Sequence, residues 1–112
     1  MRLAVEAELK LTVIPRPDLA GYERIDMDVG DVRVGHVRCR FTIEKVIIYH
    51  IQVFPEFQGN GYGAAAIAML KGRFQVLVAD RVQFTARGFW KAMGFTGLPD
   101  GNWEFRGPKG GP

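Results

Sequence analysis

The sequence predicts an α+β domain built on a mixed β-sheet, with a β-α-β unit and two main helices. Two apolar runs at residues 46–53 and 74–79 flank an alanine-rich segment at residues 64–71. Alanine, methionine and leucine favour helix, and the strand-helix-strand order predicts parallel pairing of the two strands through a right-handed crossover. The alternating apolar residues of 32–41 predict another strand, with a bulge near Gly35.

The N-terminal part of the chain gives weaker signals. Residues 3–14 alternate loosely and indicate a first strand. The prolines and glycines between residues 15 and 30 leave room for at most one helical turn.

The C-terminal part predicts the second helix and a last strand. Asp80, with Gln83 three residues later, has the form of a capping box for a helix that reaches about residue 93. Gly94 is placed as the C′ glycine that ends this helix. A strand at residues 102–106 would complete a single domain over residues 1–106, and the glycine-rich residues 107–112 are expected to fray.

Composition excludes several classes of protein. No run of about 18 apolar residues occurs that could span a membrane. Glu6 and Glu8 interrupt the N-terminal segment, where a secretory signal would need a continuous apolar core. We therefore expect a cytoplasmic protein. Cys39 is the single cysteine, which excludes an internal disulfide and favours a core thiol over a nucleophile. Because His, Cys and carboxylates show no metal-ligand spacing, no metal is predicted.

Charge is distributed unevenly along the chain. Residues 1–31 hold four Lys/Arg against seven Asp/Glu, whereas residues 32–112 hold eleven against five. The basic half favours an anionic ligand. Its cations are dispersed and form no Lys/Arg run, which does not favour nucleic acid as a partner.

The most informative segment joins the first apolar run to the alanine-rich helix. It carries glycines at positions 59, 61 and 63. Glycines let several N–H groups turn toward one point and let a ligand approach without meeting a Cβ. Together with the positive end of the helix that follows, these groups predict a phosphate or pyrophosphate site.

Two common glycine-loop families fit this segment poorly. A P-loop needs a Lys-Ser/Thr pair after its last glycine, and Ala64-Ala65 stands there. A dinucleotide-binding fold would accept the Gly61-x-Gly63-x-x-Ala66 spacing. However, its motif lies at the end of its strand and early in the chain, and here a long connection follows Val53.

A third family matches better. Gln58-Gly-Asn-Gly-Tyr-Gly63 resembles the Gln/Arg-x-x-Gly-x-Gly/Ala signature of the GNAT family of N-acetyltransferases, and Ile51-x-Val-x-Pro55 resembles the strand end that precedes it. Downstream, residues 83–95 resemble that family's Asn-x-x-Ala-x-x-Phe-Tyr-x-x-x-Gly-Phe element. The resemblance covers about residues 32–106 and implies a GNAT-like fold whose sheet is splayed at its centre.

The resemblance also implies acetyl-CoA as cofactor and identifies the residues that would bind it. The pantetheine arm would lie between two splayed parallel strands along Ile51 and Val53, with the Val53 N–H near the thioester carbonyl as an oxyanion donor. Gln83 and Trp90 would border the same site. The pyrophosphate would lie on the glycine loop, formed by Gln58, Gly59, Asn60, Gly61, Tyr62, Gly63 and Ala64.

The catalytic groups depart from the family pattern. Trp90 stands where the family carries the tyrosine that protonates sulfur, and Ile47 stands where some members carry a glutamate base. Strand alternation would place Ile47, Tyr49, Ile51 and Val53 on one face, which makes Tyr49 the candidate for proton relay. His50, on the opposite face, is expected to be a buried structural histidine.

The predicted function is transfer of acetyl from acetyl-CoA to a primary amine. The alternative is a CoA-binding protein of the same fold without catalysis. The family has two helices between its first two strands, and here only residues 15–30 are available. The acceptor groove would then be open to a protein N-terminus or lysine, or it would be completed by a second subunit of a homodimer for a small amine.

Overall fold

The computed structural model of the chain describes residues 8–15 and 22–108. They form a seven-stranded sheet of order β1-β2-β3-β4-β5-β7-β6. All neighbouring strands are antiparallel except β4 and β5, which are parallel. The strands are β1 Leu9–Pro15, β2 Glu23–Val29, β3 Val32–Phe41, β4 Lys45–Val53, β5 Val76–Ala79, β6 Thr96–Gly97 and β7 Trp103–Arg106. The predicted mixed α+β architecture is confirmed.

The β-α-β unit forms as predicted. A 3-10 turn, Pro55–Phe57, follows β4 and leads to helix α1, Tyr62–Lys71, which returns the chain to β5. Gly72 caps the C-terminal end of α1. Ala65, Ala66, Ile67 and Leu70 are buried against the sheet, which explains the alanine-rich sequence, since small side chains allow close helix–sheet packing.

The second helix is shorter than predicted. A 3-10 turn, Phe84–Ala86, precedes helix α2, Arg87–Ala92, and the expected capping box is wrong because no side chain caps either element. The Asp80 N–H instead continues the strand pairing by donating to Ile48 O at 2.9 Å. The end of α2 is as predicted: Gly94 has φ +88°, and the Phe95 N–H donates to Trp90 O at 3.0 Å, which is a Schellman ending.

Both helices lie on one face of the sheet and contact each other. A Cβ placed on Gly63 of α1 would lie 3.7 Å from the Phe89 ring of α2. At the other end of α1, Lys71 Nζ donates to Met93 O and lies 4.2 Å from the centre of the Phe105 ring. Burial lowers the pKa of Lys71.

Strand β2 was missed by the sequence analysis. Its Ile25 and Met27 are buried against the helices, while Arg24, Asp26 and Asp28 alternate with them on the other face. The alternation is that of a strand. It was obscured because charged residues occupy the second face and because prolines and glycines surround the segment.

The predicted bulge in β3 is present, since Val34 is left unpaired between the Met27–Gly35 and Asp28–Arg33 pairs. A second irregularity in β4 was not predicted. His50 pairs with Arg38 and Ile48 pairs with Cys39, so that Tyr49 is an extra residue. The bulge places Ile51 and Val53 on the helix face with Ile48, and Ile47 on the opposite face. The prediction of one shared face is therefore wrong.

Cys39 lies in the core with no exposed surface. Burial, together with the nearby charge of Glu23, raises the pKa of its thiol to about 12. We expect a thiol reagent at pH 8 to leave the folded protein unlabelled and to label Cys39 only in urea, because the thiolate is the reactive form. Labelling at equal rates with and without urea would contradict this placement.

No helix among the described residues is long and apolar enough to cross a membrane.

Candidate functional site

The parallel strands β4 and β5 separate after a short paired segment. Their last pair is Ile48 with Ala79. Beyond this pair, β4 continues to Val53 along β3. The segment that follows β5 turns away at Arg81, which has φ +46°. The gap is a cleft of about 270 Å³, which we call the β4–β5 cleft, lined by residues 48–51, 79–83, 86 and 90.

The open edge of β4 presents main-chain polar groups. The Phe54 N–H donates to Val34 O of β3 at 2.8 Å. Because successive residues of a strand direct their N–H groups to alternate edges, Val53 and Ile51 direct theirs away from β3. That edge has no paired strand beyond Ile48. Ile51 lines the cleft, and Val53 lies just past it, toward the glycine loop.

The glycine loop has a conformation that requires glycine. Gly59 and Gly61 have φ +85° and +83°, and a Cβ at either position would meet no protein atom within 4 Å. Glycine is therefore required at these two positions by the backbone conformation and not by close packing. The same geometry leaves open space above the loop.

The N–H groups of residues 59–64 have no hydrogen-bond partner in the described part of the chain. The first helical hydrogen bond of α1 runs from Ala65 N–H to Gly61 O at 2.9 Å, and no side chain caps the helix. Within residues 8–15 and 22–108, no acceptor lies within hydrogen-bond reach of the N–H groups of residues 59–64. Unpaired N–H groups at the positive end of a helix are suited to bind a phosphate.

Two loop side chains assigned to the cofactor have structural partners. Gln58 Nε2 donates to Val53 O at 2.9 Å, and Asn60 Nδ2 donates to Phe57 O at 3.0 Å. These bonds fasten the loop to the end of β4. Tyr62 and Gly63 begin α1, and the Tyr62 ring packs against the core.

Gln83 and Trp90 both line the β4–β5 cleft. Gln83 is exposed, whereas Trp90 is only 5% exposed. The Trp90 ring packs against Phe89 and Phe95, with ring centres 5.0 and 4.8 Å away. An indole N–H can donate a hydrogen bond but is not a practical acid.

Tyr49 lines the cleft and contacts Tyr22, a residue that no sequence motif indicates. Its ring meets that of Tyr22 edge to face, with centres 5.1 Å apart. His50 also lines the cleft and is exposed, so that the prediction of a buried structural histidine is wrong. The bulge at Tyr49 shifts the alternation and turns His50 to the face opposite the helices.

No family model matches the sequence, and no curated protein matches it. Solved structures do match. An acetyltransferase from Thermus thermophilus has a TM-score of 0.64 at 18% identity, over 78% of this chain and 65% of that one. A GNAT family acetyltransferase from Elizabethkingia anophelis with acetyl-CoA bound has a TM-score of 0.64 at 14% identity, over 88% of this chain and 98% of that one. The ribosomal-protein-S18-alanine N-acetyltransferase from Escherichia coli has a TM-score of 0.62 at 13% identity, over 96% of this chain and 86% of that one.

The present chain thus spans less than two thirds of the Thermus thermophilus protein and nearly the whole of the Elizabethkingia anophelis one. At these identities the likeness is one of architecture, and it agrees with the splayed sheet and the glycine loop described above. The chain has the fold of the GNAT family acetyltransferases.

Proposed function

We propose that this protein transfers an acetyl group from acetyl-CoA to a primary amine. The observation that supports it most is the row of unpaired N–H groups at residues 59–64, placed beside the β4–β5 cleft. The loop offers donors and space for a pyrophosphate, and the cleft offers a channel for an extended arm. The donor set and the open space both fit CoA.

Each part of the site has a role in this function. The N–H groups of residues 59–64 bind the pyrophosphate, and the open edge of β4 at Ile51 bonds an amide of the pantetheine arm. The Val53 N–H stabilises negative charge on the carbonyl oxygen during transfer. Gln58 holds the Val53 carbonyl, and so it fixes the end of β4 relative to the loop.

Acetyl-CoA supplies an acetyl group activated as a thioester. The acceptor first loses a proton from its ammonium form, and its nitrogen then forms a bond to the acetyl carbon as the carbon–sulfur bond breaks. The second proton leaves nitrogen as the sulfur gains one. The products are an N-acetylated amine, the free thiol of CoA and one proton.

A CoA-binding protein without catalysis is the second candidate. The buried Trp90, which lines the cleft, favours it, because an indole stands at the position where the family carries its tyrosine acid. Calorimetric titration with acetyl-CoA, followed by release of free thiol with a panel of amines, separates the two functions. Binding with thiol release supports the acetyltransferase, binding without release supports the second candidate, and no binding overturns both.

Replacing Trp90 with tyrosine tests whether sulfur protonation limits the rate. We expect Trp90→Tyr to raise kcat about tenfold, because a phenol can donate a proton to the departing sulfur. Trp90→Phe is the matched control, since it also removes the indole but adds no acid. Equal kcat in the two variants, with CoA affinity retained, would show that another step limits turnover.

A further inference from the structure

A second cavity opens on the face of the sheet opposite the two helices. Its volume is about 380 Å³, which is within the range of small-ligand sites. We call it the arginine pocket, after Arg24, Arg33 and Arg38, which line it together with Tyr22, Glu23, Asp26, His36 and Phe54. Among the described residues no group of His, Cys, Asp and Glu could hold a metal ion there.

The buried carboxylate of Asp26 holds two of the arginines in place. Asp26 is 3% exposed and lies 2.8 Å from Arg24 Nε and 3.2 Å from Arg33 Nη1. Arg33 also pairs with Asp28 at 2.5 Å. The positive charges of Arg24 and Arg33 are thus balanced by the negative charges of Asp26 and Asp28. Glu23 also lines the pocket, and its Oε1 accepts the Phe41 N–H at 3.2 Å rather than pairing with an arginine.

Arg38 is the arginine of the pocket that no carboxylate of the described residues contacts. It is exposed, and within the described part of the chain it has no hydrogen-bond or ion-pair partner. It lies directly opposite Arg24 on the neighbouring strand. Like charges at directly opposed positions repel each other. A carboxylate or phosphate between the two guanidinium groups would remove this repulsion and would gain charge-assisted hydrogen bonds.

Two side-chain pairs connect the arginine pocket with the β4–β5 cleft. Tyr22 of the pocket contacts Tyr49 of the cleft, and His36 of the pocket lies near His50 of the cleft, with ring centres 6.4 Å apart. His50 is also directly opposite Arg38 across β3 and β4. A small molecule bound at Arg38 would therefore have its other end beside the cleft.

We propose that the arginine pocket binds the acceptor, and that the acceptor is a small primary amine with a carboxylate or phosphate group. Its anion lies between Arg24 and Arg38, and its nitrogen passes His36 to reach the cleft. The inference depends on the acetyltransferase function proposed above and adds to it the chemical class of the acceptor.

His36 is the group that receives the proton of the acceptor ammonium. Burial lowers its pKa, the charges of His50, Arg24 and Arg38 lower it further, and Asp26 opposes them. His36 is thus neutral at pH 7 and able to accept a proton. The protonated form increases as pH falls below the usual histidine value of about 6.5, so kcat/KM should fall in that acidic range.

The test compares amines that differ only in the anion. Phenylalanine is paired with phenethylamine, and phosphoethanolamine with ethanolamine, at saturating acetyl-CoA. We expect kcat/KM to be about tenfold or more higher for the anionic member of at least one pair. The pair that shows the difference identifies carboxylate or phosphate as the anion.

Two variants assign this preference to the arginine pocket. Arg38→Gln should reduce the preference to about twofold through a higher KM, with unchanged affinity for CoA. Arg73→Gln is the matched control, because it removes the same charge from an exposed position after α1 and should change nothing. His36→Gln should lower kcat and move the acidic decrease of kcat/KM to higher pH, because the acceptor ammonium must then lose its proton to solvent before it reacts.

The outcomes separate this inference from the proposed function. Acetylation of both members of each pair at equal rates, or faster acetylation of an uncharged peptide N-terminus, overturns the inference and leaves the acetyltransferase in place. A preference that survives in Arg38→Gln also overturns it. A pH profile unchanged in His36→Gln removes the proton-accepting role. Failure to acetylate any amine, with CoA bound, overturns both.

Discussion

Replacing Gly61 with valine is expected to lower the affinity for CoA about a hundredfold or more. Gly61 has φ +83°, a conformation that a β-branched residue rarely adopts. The variant chain must leave this conformation, which turns the N–H groups of residues 59–64 away from a common point. Each hydrogen bond to a charged group contributes about 1.5–3 kcal/mol, and every 1.4 kcal/mol corresponds to about tenfold in affinity. Calorimetric titration with CoA measures the effect.

The control for this experiment is Gly30→Val. Gly30 also has positive φ, +59°, with no atom within 4 Å of an added Cβ, but it lies in the turn between β2 and β3. We expect both variants to lose stability through backbone strain. Only Gly61→Val should also lose affinity for CoA. Equal affinities in the two variants, or a hundredfold loss in both, would contradict the assignment of the phosphate site to the glycine loop.

The sequence was sufficient to predict the β-α-β unit because its signals are local. The apolar runs, the alanine-rich helix and the glycine spacing lie within residues 46–79, and each element is specified by its own residues. The glycine loop lies in the same segment. The signal of Gly94 is also local, because a helix that ends with a residue of positive φ favours glycine there whatever the helix packs against.

The features that were missed depend on more than one strand. The bulge at Tyr49 exists only in the pairing of β3 with β4, and it decides which face His50 occupies. The arginine pocket needs Arg24 from β2 and Arg38 from β3 in register. In the sequence, Arg24 and Asp26 belong to a segment interpreted as irregular. Once β2 is recognised as a strand, its alternation places their charges on the face opposite the helices.

Replacing Gly35 with alanine is expected to destabilise the protein strongly. A Cβ on Gly35 would lie 2.2 Å from Gln52 O and 3.1 Å from Val53 Cα, both of which are main-chain atoms of β4. Backbone atoms cannot rotate away as a side chain can, so that β3 and β4 must separate next to the bulge in β3. We expect a loss of about 3 kcal/mol in the free energy of unfolding, a large fraction of the stability of a small domain.

Urea unfolding measures this loss, and the transition midpoint should fall by about 2 M. Gly88→Ala is the matched control: Gly88 lies exposed in α2, no atom lies within 4 Å of an added Cβ, and alanine there should stabilise the helix by up to about 1 kcal/mol. A midpoint for Gly35→Ala close to that of the parent protein would mean that β3 and β4 are not in close contact at Gly35. Because Val53 pairs with Gly35, the same separation should also weaken CoA binding at the open edge of β4. The two measurements together therefore test whether the strand pairing that stabilises the sheet also positions the cofactor.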